Sequence, residues 1–203
     1  MTQQNRVTPN GQIVAIDQRG MFIGNRGCIH EGFVVKRPWQ TRRWIVCALA
    51  YKAFAAPKWV PGRWTALFFW DEAVAIAAGH RPCALCRRPA FNRWMDGWES
   101  ANGERPNVDA MDRILHADRV GDDRGQRRHL QPWADLPCGV FVAVDSTPVM
   151  VLADRLLPWR AEADGYGEPL ARPPRGDAVV LTPRASVAVL RHGYRPETAG
   201  EVR

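Results

Sequence analysis

Leu67 to Arg87, LFFWDEAVAIAAGHRPCALCR, is the stretch on which the reading of this chain turns. Its first residues carry apolar side chains on both faces, the pattern of a strand covered on both sides. Asp71 to Ala78 then reads as a compact helix, with Asp71 and Glu72 as acids in its first turn and Gly79 placed to end it. Pro82 bars any continuation, and Cys83 and Cys86 follow with two residues between them. Two thiolates so spaced can reach one tetrahedral ion, because the turn brings both sulfurs to one side and its amides are free to donate to them. Cys83 and Cys86 are therefore expected to be two ligands of a structural zinc ion.

Working outward, Gln12 to Asp17 and Gly20 to Gly27 read as short strands, Arg43 to Tyr51 as a central strand, and Pro89 to Trp98 as a second helix. Val108, Met111 and Leu115 recur at helical spacing. Beyond a charged stretch at Gly121 to Arg128, the pattern becomes β-rich. Val140 to Asp145 and Val149 to Ala153 suggest a hairpin, Leu156 to Trp159 continues it, Ala178 to Leu181 adds a strand, and Ala185 to Arg191 closes with a short helix. The prolines and glycines of residues 158–177 suggest a long surface loop. The expected class is α+β: a zinc-stabilised mixed α/β unit over residues 1–120, a charged linker or loop over 121–135, and a small β-rich unit over 136–203.

Composition excludes several classes. With 46% hydrophobic residues and nine tryptophans in 203, the chain has the material for a core and is not a disordered segment. The polar start lacks an apolar leader, and the longest apolar stretch, Ile45 to Ala56, is broken by Lys52 and too short to span a bilayer. A cytoplasmic protein with no membrane partner is the expectation. Five cysteines, an odd number, in such a chain argue against a disulfide framework and for metal binding or redox chemistry.

Residues 67–87 also resemble the second half of the zinc-binding domain of the Ada family of DNA methyl-phosphotriester repair proteins. The order is shared: a strand with paired aromatics, an Ala-rich helix ending in Ala-Gly, then Arg-Pro-Cys-x-x-Cys-Arg. The likeness covers about a tenth of the chain; the full length is similar to a bacterial family with no assigned function. The resemblance implies four thiolate ligands, one of which accepts a methyl group from DNA. That family's other two ligands form a Cys-x-x-x-Cys pair, which is missing here; the nearest equivalent is Gly27-Cys28-Ile29-His30. Residues two apart on an extended segment face the same way, about 7 Å apart, so Cys28 and His30 are expected to complete a site with Cys83 and Cys86. Cys47 is the competing ligand, read as a core thiol because it shares a strand face with Ile45, Leu49 and Tyr51. Cys138 has no partner at metal spacing. Exchanging a thiolate for neutral histidine weakens the nucleophile, which favours zinc as scaffold over methyl transfer.

The charge is uneven. Residues 1–100 hold 14 basic residues against 6 acidic, while 101–203 hold 14 against 15. Cations alternate with aromatics around Trp39, Trp44, Trp59 and Trp64, which suggests phosphate neutralisation with base stacking. DNA or RNA is the expected partner, met by Arg42, Arg43, Arg81, Arg87 and Arg88. The opposing view is that the tryptophans are core and the arginines solvated. An enzyme reading rests on Asp112 and His116, four apart on one helix face, as a general-base pair or metal ligands of a hydrolase or nuclease. His80 adjoins the cysteine pair as a supporting group. Gly20 to Gly27 lacks the lysine and spacing of a phosphate-binding loop, so none is expected there.

Overall fold

The computed structural model describes residues 2–53, 59–161 and 165–200. The first part of the chain gives β1 (Arg6–Val7), β2 (Ile13–Val14), β3 (Phe22–Asn25), β4 (His30–Glu31), β5 (Val34–Val35), β6 (Ile45–Ala48), β7 (Leu67–Phe69), α1 (Glu72–Ala77) and β8 (Arg81–Pro82). Six of these strands form a mixed sheet in the order β2-β1-β7-β3-β6-β8, and β4 and β5 make a separate ribbon. β3 is antiparallel to both of its neighbours. A Cβ on Gly24 would stand 2.1 Å from the Ile45 carbonyl oxygen, so glycine is what lets β6 come this close.

Next come α2 (Arg88–Asn102), α3 (Val108–Arg119), β9 (His129–Pro132), a 3-10 turn at Trp133–Asp135, β10 (Phe141–Val144), β11 (Thr147–Val151), β12 (Arg155–Arg160), β13 (Gly165–Tyr166), β14 (Leu170–Ala171), β15 (Asp177–Val180) and α4 (Arg184–Arg191). The strands build a second, antiparallel sheet in the order β13-β12-β11-β10-β15-β9, with β14 also on β12. The fold is mixed α+β. The expected long loop over 158–177 is corrected: β13 and β14 lie within it and pair with β12. Proline and glycine there mark two-residue edge strands rather than free loop.

α1 is the pivot of the packing. Asp71 caps it by accepting from the Val74 amide at 2.9 Å, and every residue from Glu72 to Ala77 is buried. Its small side chains feed three clusters: Ala75 packs with Phe22, Val46 and Phe69; Ala73, Val74 and Ala77 with Phe141 and Trp159; Ile76 with Trp94, Leu115 and Leu190. A helix apolar on all sides is a core helix, which explains the run of alanine. Gly79 follows at φ 86°, where a Cβ would meet the Arg119 side chain at 2.4 Å. The helix must end in glycine for conformation and for space together.

Two ion pairs are fully enclosed. Arg81 donates from Nε and Nη2 to the two carboxylate oxygens of Asp112, each at 2.8 Å. Glu72, with 0% exposure, accepts from Arg87 Nη1 and the Tyr194 hydroxyl, both at 2.6 Å, and from the Glu197 amide at 2.9 Å.

Burial also sets an acid limit on the fold. Burial, with Arg26 and Arg119 nearby, pushes His80 well below its ordinary value of 6.5. Burial, then Arg119 and Arg42, brings His116 down to about 4. Burial lowers His129, with Arg184 adding to it and the Thr182 and Leu130 backbone and Asp118 opposing. The unfolded chain thus takes up protons near pH 6.5 that the native chain refuses until lower pH, so this contribution to stability is lost on acidification. Asp71 runs the other way: burial lifts its carboxyl to about 6, so the native form is protonated first and gains as pH falls. Three histidines thus act against one carboxyl over this range. The urea midpoint, measured with chelator present throughout, is expected to fall steadily between pH 6.5 and 4; a flat or rising midpoint would show that these side chains are hydrated in solution.

Candidate metal centre

The short strand β8 pairs in parallel with β6, Ile45 beside Arg81 and Val46 beside Pro82. The ladder continues as the Cys83 amide donates to the Val46 carbonyl at 2.9 Å. One step further along the same register puts Cys47 alongside Cys83, and side chains at matched positions on neighbouring strands stand on the same face. The chain then turns through Ala84 and Leu85, and Cys86 arrives just before α2. The Sγ atoms of Cys47, Cys83 and Cys86 all lie within 4.8 Å of one another. Among the described residues, no other group of histidine, cysteine or acidic side chains has this geometry.

The surroundings favour negative charge on sulfur. The Leu85 amide donates to Cys83 Sγ at 3.4 Å. Cys83 is pulled down to about 5, chiefly by a hydrogen bond from the Cys47 thiol, against a burial effect that raises it and with help from the Cys86 and Leu85 amides. The same contact pushes Cys47 up, burial adding to it; burial raises Cys86, which the Ala48 amide opposes. The neighbouring thiol and the backbone amides thus favour the thiolate form of Cys83 over that of Cys47 or Cys86. Three soft donors fit a zinc ion, which would take the place of the thiol protons and leave one tetrahedral position for water or another ligand.

The residues that this geometry gathers differ from the set expected from sequence. Cys83 and Cys86 are brought together, but Cys47 joins them; Cys28 and His30 do not. His30 is enclosed, with Nδ1 2.6 Å from the Thr65 hydroxyl and its ring 5.0 Å from that of Trp59. The Cys28 amide donates to Gln40 Oε1 at 2.7 Å, in the turn before β4. Cys138 stays apart from the sulfur cluster. His80 does not support the sulfurs either: its Nδ1 faces the Ala75 carbonyl at 3.2 Å and its Nε2 accepts from Arg26 Nε at 3.4 Å. What would have revealed Cys47 is the pairing of β6 with a strand of two residues, too short to leave a pattern in sequence.

Two of the five arginines expected to meet nucleic acid are unavailable. Arg81 is buried against Asp112, and Arg87 is 6% exposed between Glu72 and Glu197. Arg42 and Arg88 are exposed, and Arg43 is exposed but pairs with Asp109 at 2.9 Å. Of the four tryptophans read as a stacking surface, Trp44 and Trp59 are core, while Trp39 and Trp64 are half-buried. The Asp112–His116 pair also dissolves, since Asp112 is held by Arg81 while His116 Nδ1 contacts Arg119 Nη2 at 3.2 Å. No helix among the described residues is long and apolar enough to cross a membrane.

Comparison with known protein families, characterised proteins and solved structures finds no match to this chain.

Proposed function

We propose that this is a zinc protein in which Cys47, Cys83 and Cys86 hold the ion as a clamp between β6 and the head of α2. The observation that carries the reading is the convergence of three sulfurs from two separate parts of the chain within 4.8 Å. The ion ties a strand of the first sheet to the helix whose Phe91, Trp94 and Trp98 share an apolar cluster with Val140, Val149 and Val151 of the second part of the chain, so its role is to fix the first sheet to that core. The resemblance to the Ada zinc domain read in residues 67–87 would account for the Cys83–Cys86 half of the site and is silent on Cys47. Three thiolates on a dication leave one unit of negative charge where four would leave two, which suits a scaffold better than a methyl acceptor.

Purified protein is expected to carry close to one zinc per chain, and Cys28→Ser and His30→Ala to keep it, as measured by elemental analysis. Metal-free protein with undiminished stability would end the zinc reading. Loss of metal on changing Cys28 would restore the four-residue site expected from sequence.

A further inference from the structure

A cleft of about 950 Å³ opens beside the β1–β2 turn and the loop that follows α3. Its charged lining is four arginines, Arg26, Arg119, Arg124 and Arg128, against one carboxylate, Asp123. Arg26 and Arg119 are each 2% exposed, and each guanidinium carbon lies 4.1 Å from the Trp44 ring. Neither forms an ion pair among the described residues. Asp112 favours the charged form of Arg119, but both its oxygens are engaged by Arg81. The neighbouring histidines, His80 and His116, add no compensating charge. Arg26 Nη1 donates to the Gly11 carbonyl and Arg119 Nη1 and Nη2 to those of Gly79 and Arg42, but buried cations without counter-ions are costly, and neutral acceptors and an indole offset only part of that cost. Burial accordingly brings Arg26 down to about 9 and Arg119 well below its ordinary value.

The same cleft gathers polar atoms that are buried and unpartnered: Arg26 Nη2, Arg119 Nε, Asn10 Oδ1 and Gln126 Oε1. The Gln126 amide cannot be turned round, because its Nε2 already donates to the Pro9 and Ala77 carbonyls at 2.8 and 3.0 Å. The free atoms are therefore two cationic donors and two neutral acceptors. Gly11, at φ 75°, borders Arg26: its carbonyl accepts from Nη1 at 3.0 Å, and a Cβ there would stand 3.8 Å from Nη2.

We propose that this cleft binds a small phosphomonoester that also carries hydroxyl groups, the chemistry of a sugar phosphate. The dianion of a terminal phosphate answers the guanidinia of Arg26 and Arg119, with Arg124 and Arg128 at the rim. The ligand's hydroxyls donate to Asn10 and Gln126. A nucleic-acid backbone fits less well, since a diester carries one charge, is flanked by chain on both sides, and cannot be presented end-on to side chains this deep.

The test is calorimetric titration of the full chain at constant ionic strength with ribose 5-phosphate, inorganic phosphate, malate as a carboxylate, and a single-stranded oligonucleotide. Ribose 5-phosphate is expected to bind about tenfold or more tighter than malate. Arg26→Met is expected to weaken both phosphate probes by about tenfold or more. Gln126→Ala should weaken ribose 5-phosphate and spare inorganic phosphate. Should Arg26→Met fail to fold, Arg128→Gln at the exposed rim is expected to weaken both phosphates by several-fold. Absence of binding at about 10 mM of either phosphate, equal affinity for malate, binding of the oligonucleotide alone, or variants that bind as the parent does would each overturn the proposal. The outcome is independent of the zinc reading, because none of these side chains belongs to the sulfur cluster.

Discussion

Cys47→Ser is expected to leave the protein without bound zinc and to lower its thermal midpoint by roughly 10 °C, as is removal of the metal by a strong chelator. The magnitude follows from linkage. An ion present at about a thousand times its dissociation constant stabilises the native state by about 4 kcal/mol, and a chain of this size moves about 2–4 °C per kcal/mol. The clamp joins Cys47 to Cys83 and Cys86 across the whole of β7 and α1. Its loss therefore leaves the β6–β8 pairing and the start of α2 held by backbone hydrogen bonds and packing alone. The C-terminal sheet shares with α2, α3 and α4 an apolar cluster around Val140, Val149, Leu156, Trp94, Leu115 and Leu190 that contains no cysteine, so native-like circular dichroism should persist in the metal-free form below the lowered midpoint. Differential scanning calorimetry of Cys47→Ser, Cys28→Ser and the parent, each with and without chelator, separates the possibilities. A Cys47 variant that melts with the parent and still responds to chelator would remove Cys47 from the site.

Glu72→Ala is expected to be the most damaging change outside the metal centre, costing about 3–5 kcal/mol and roughly 10–15 °C in midpoint. Its carboxylate has no exposure and closes a network of Arg87, Tyr194 and the Glu197 amide. Removing it leaves the Arg87 guanidinium with only Glu197, whose side chain is 55% exposed, and strands the Tyr194 hydroxyl in the core. The network also joins α1 to the C-terminal segment, because Glu197 and Tyr194 lie beyond α4. Asp96→Ala, which breaks the exposed contact with Arg105, is the control and should leave the midpoint where it is. Thermal melts of the two variants side by side make the comparison. Equal behaviour would mean that water reaches Glu72 in solution.

Much of the fold was legible because local chemistry and tertiary packing agree. The acids before Ala73 and the glycine at 79 mark α1 correctly, since one caps the helix and the other ends it in the left-handed region. The 3.6-residue spacing of Phe91, Trp94 and Trp98 and of Met111 and Leu115 identifies α2 and α3 by the face each buries. What escaped were contacts between distant, short elements. β8, β13 and β14 are two residues long, and nothing in two residues distinguishes a strand from a turn.

The site was half legible for the same reason. Cys83 and Cys86 announce themselves by spacing, whereas Cys47 is a thiol on a strand until β8 is laid beside it. The Cys-x-His spacing of Cys28 and His30 imitates a ligand pair, yet Thr65, far away in sequence, holds the imidazole. Arg81 and Arg87 look like part of a basic surface because their carboxylate partners, Asp112 and Glu72, are brought to them only by folding.

X-ray absorption at the zinc edge of the purified full chain tests the central claim most directly. The account predicts three sulfur neighbours at about 2.3 Å and one oxygen or nitrogen neighbour at about 2.0 Å, with one sulfur lost in any metal retained by Cys47→Ser and none lost in Cys28→Ser. A spectrum with a histidine-like outer shell beside two or three sulfurs, or one unchanged by Cys47→Ser, would contradict it.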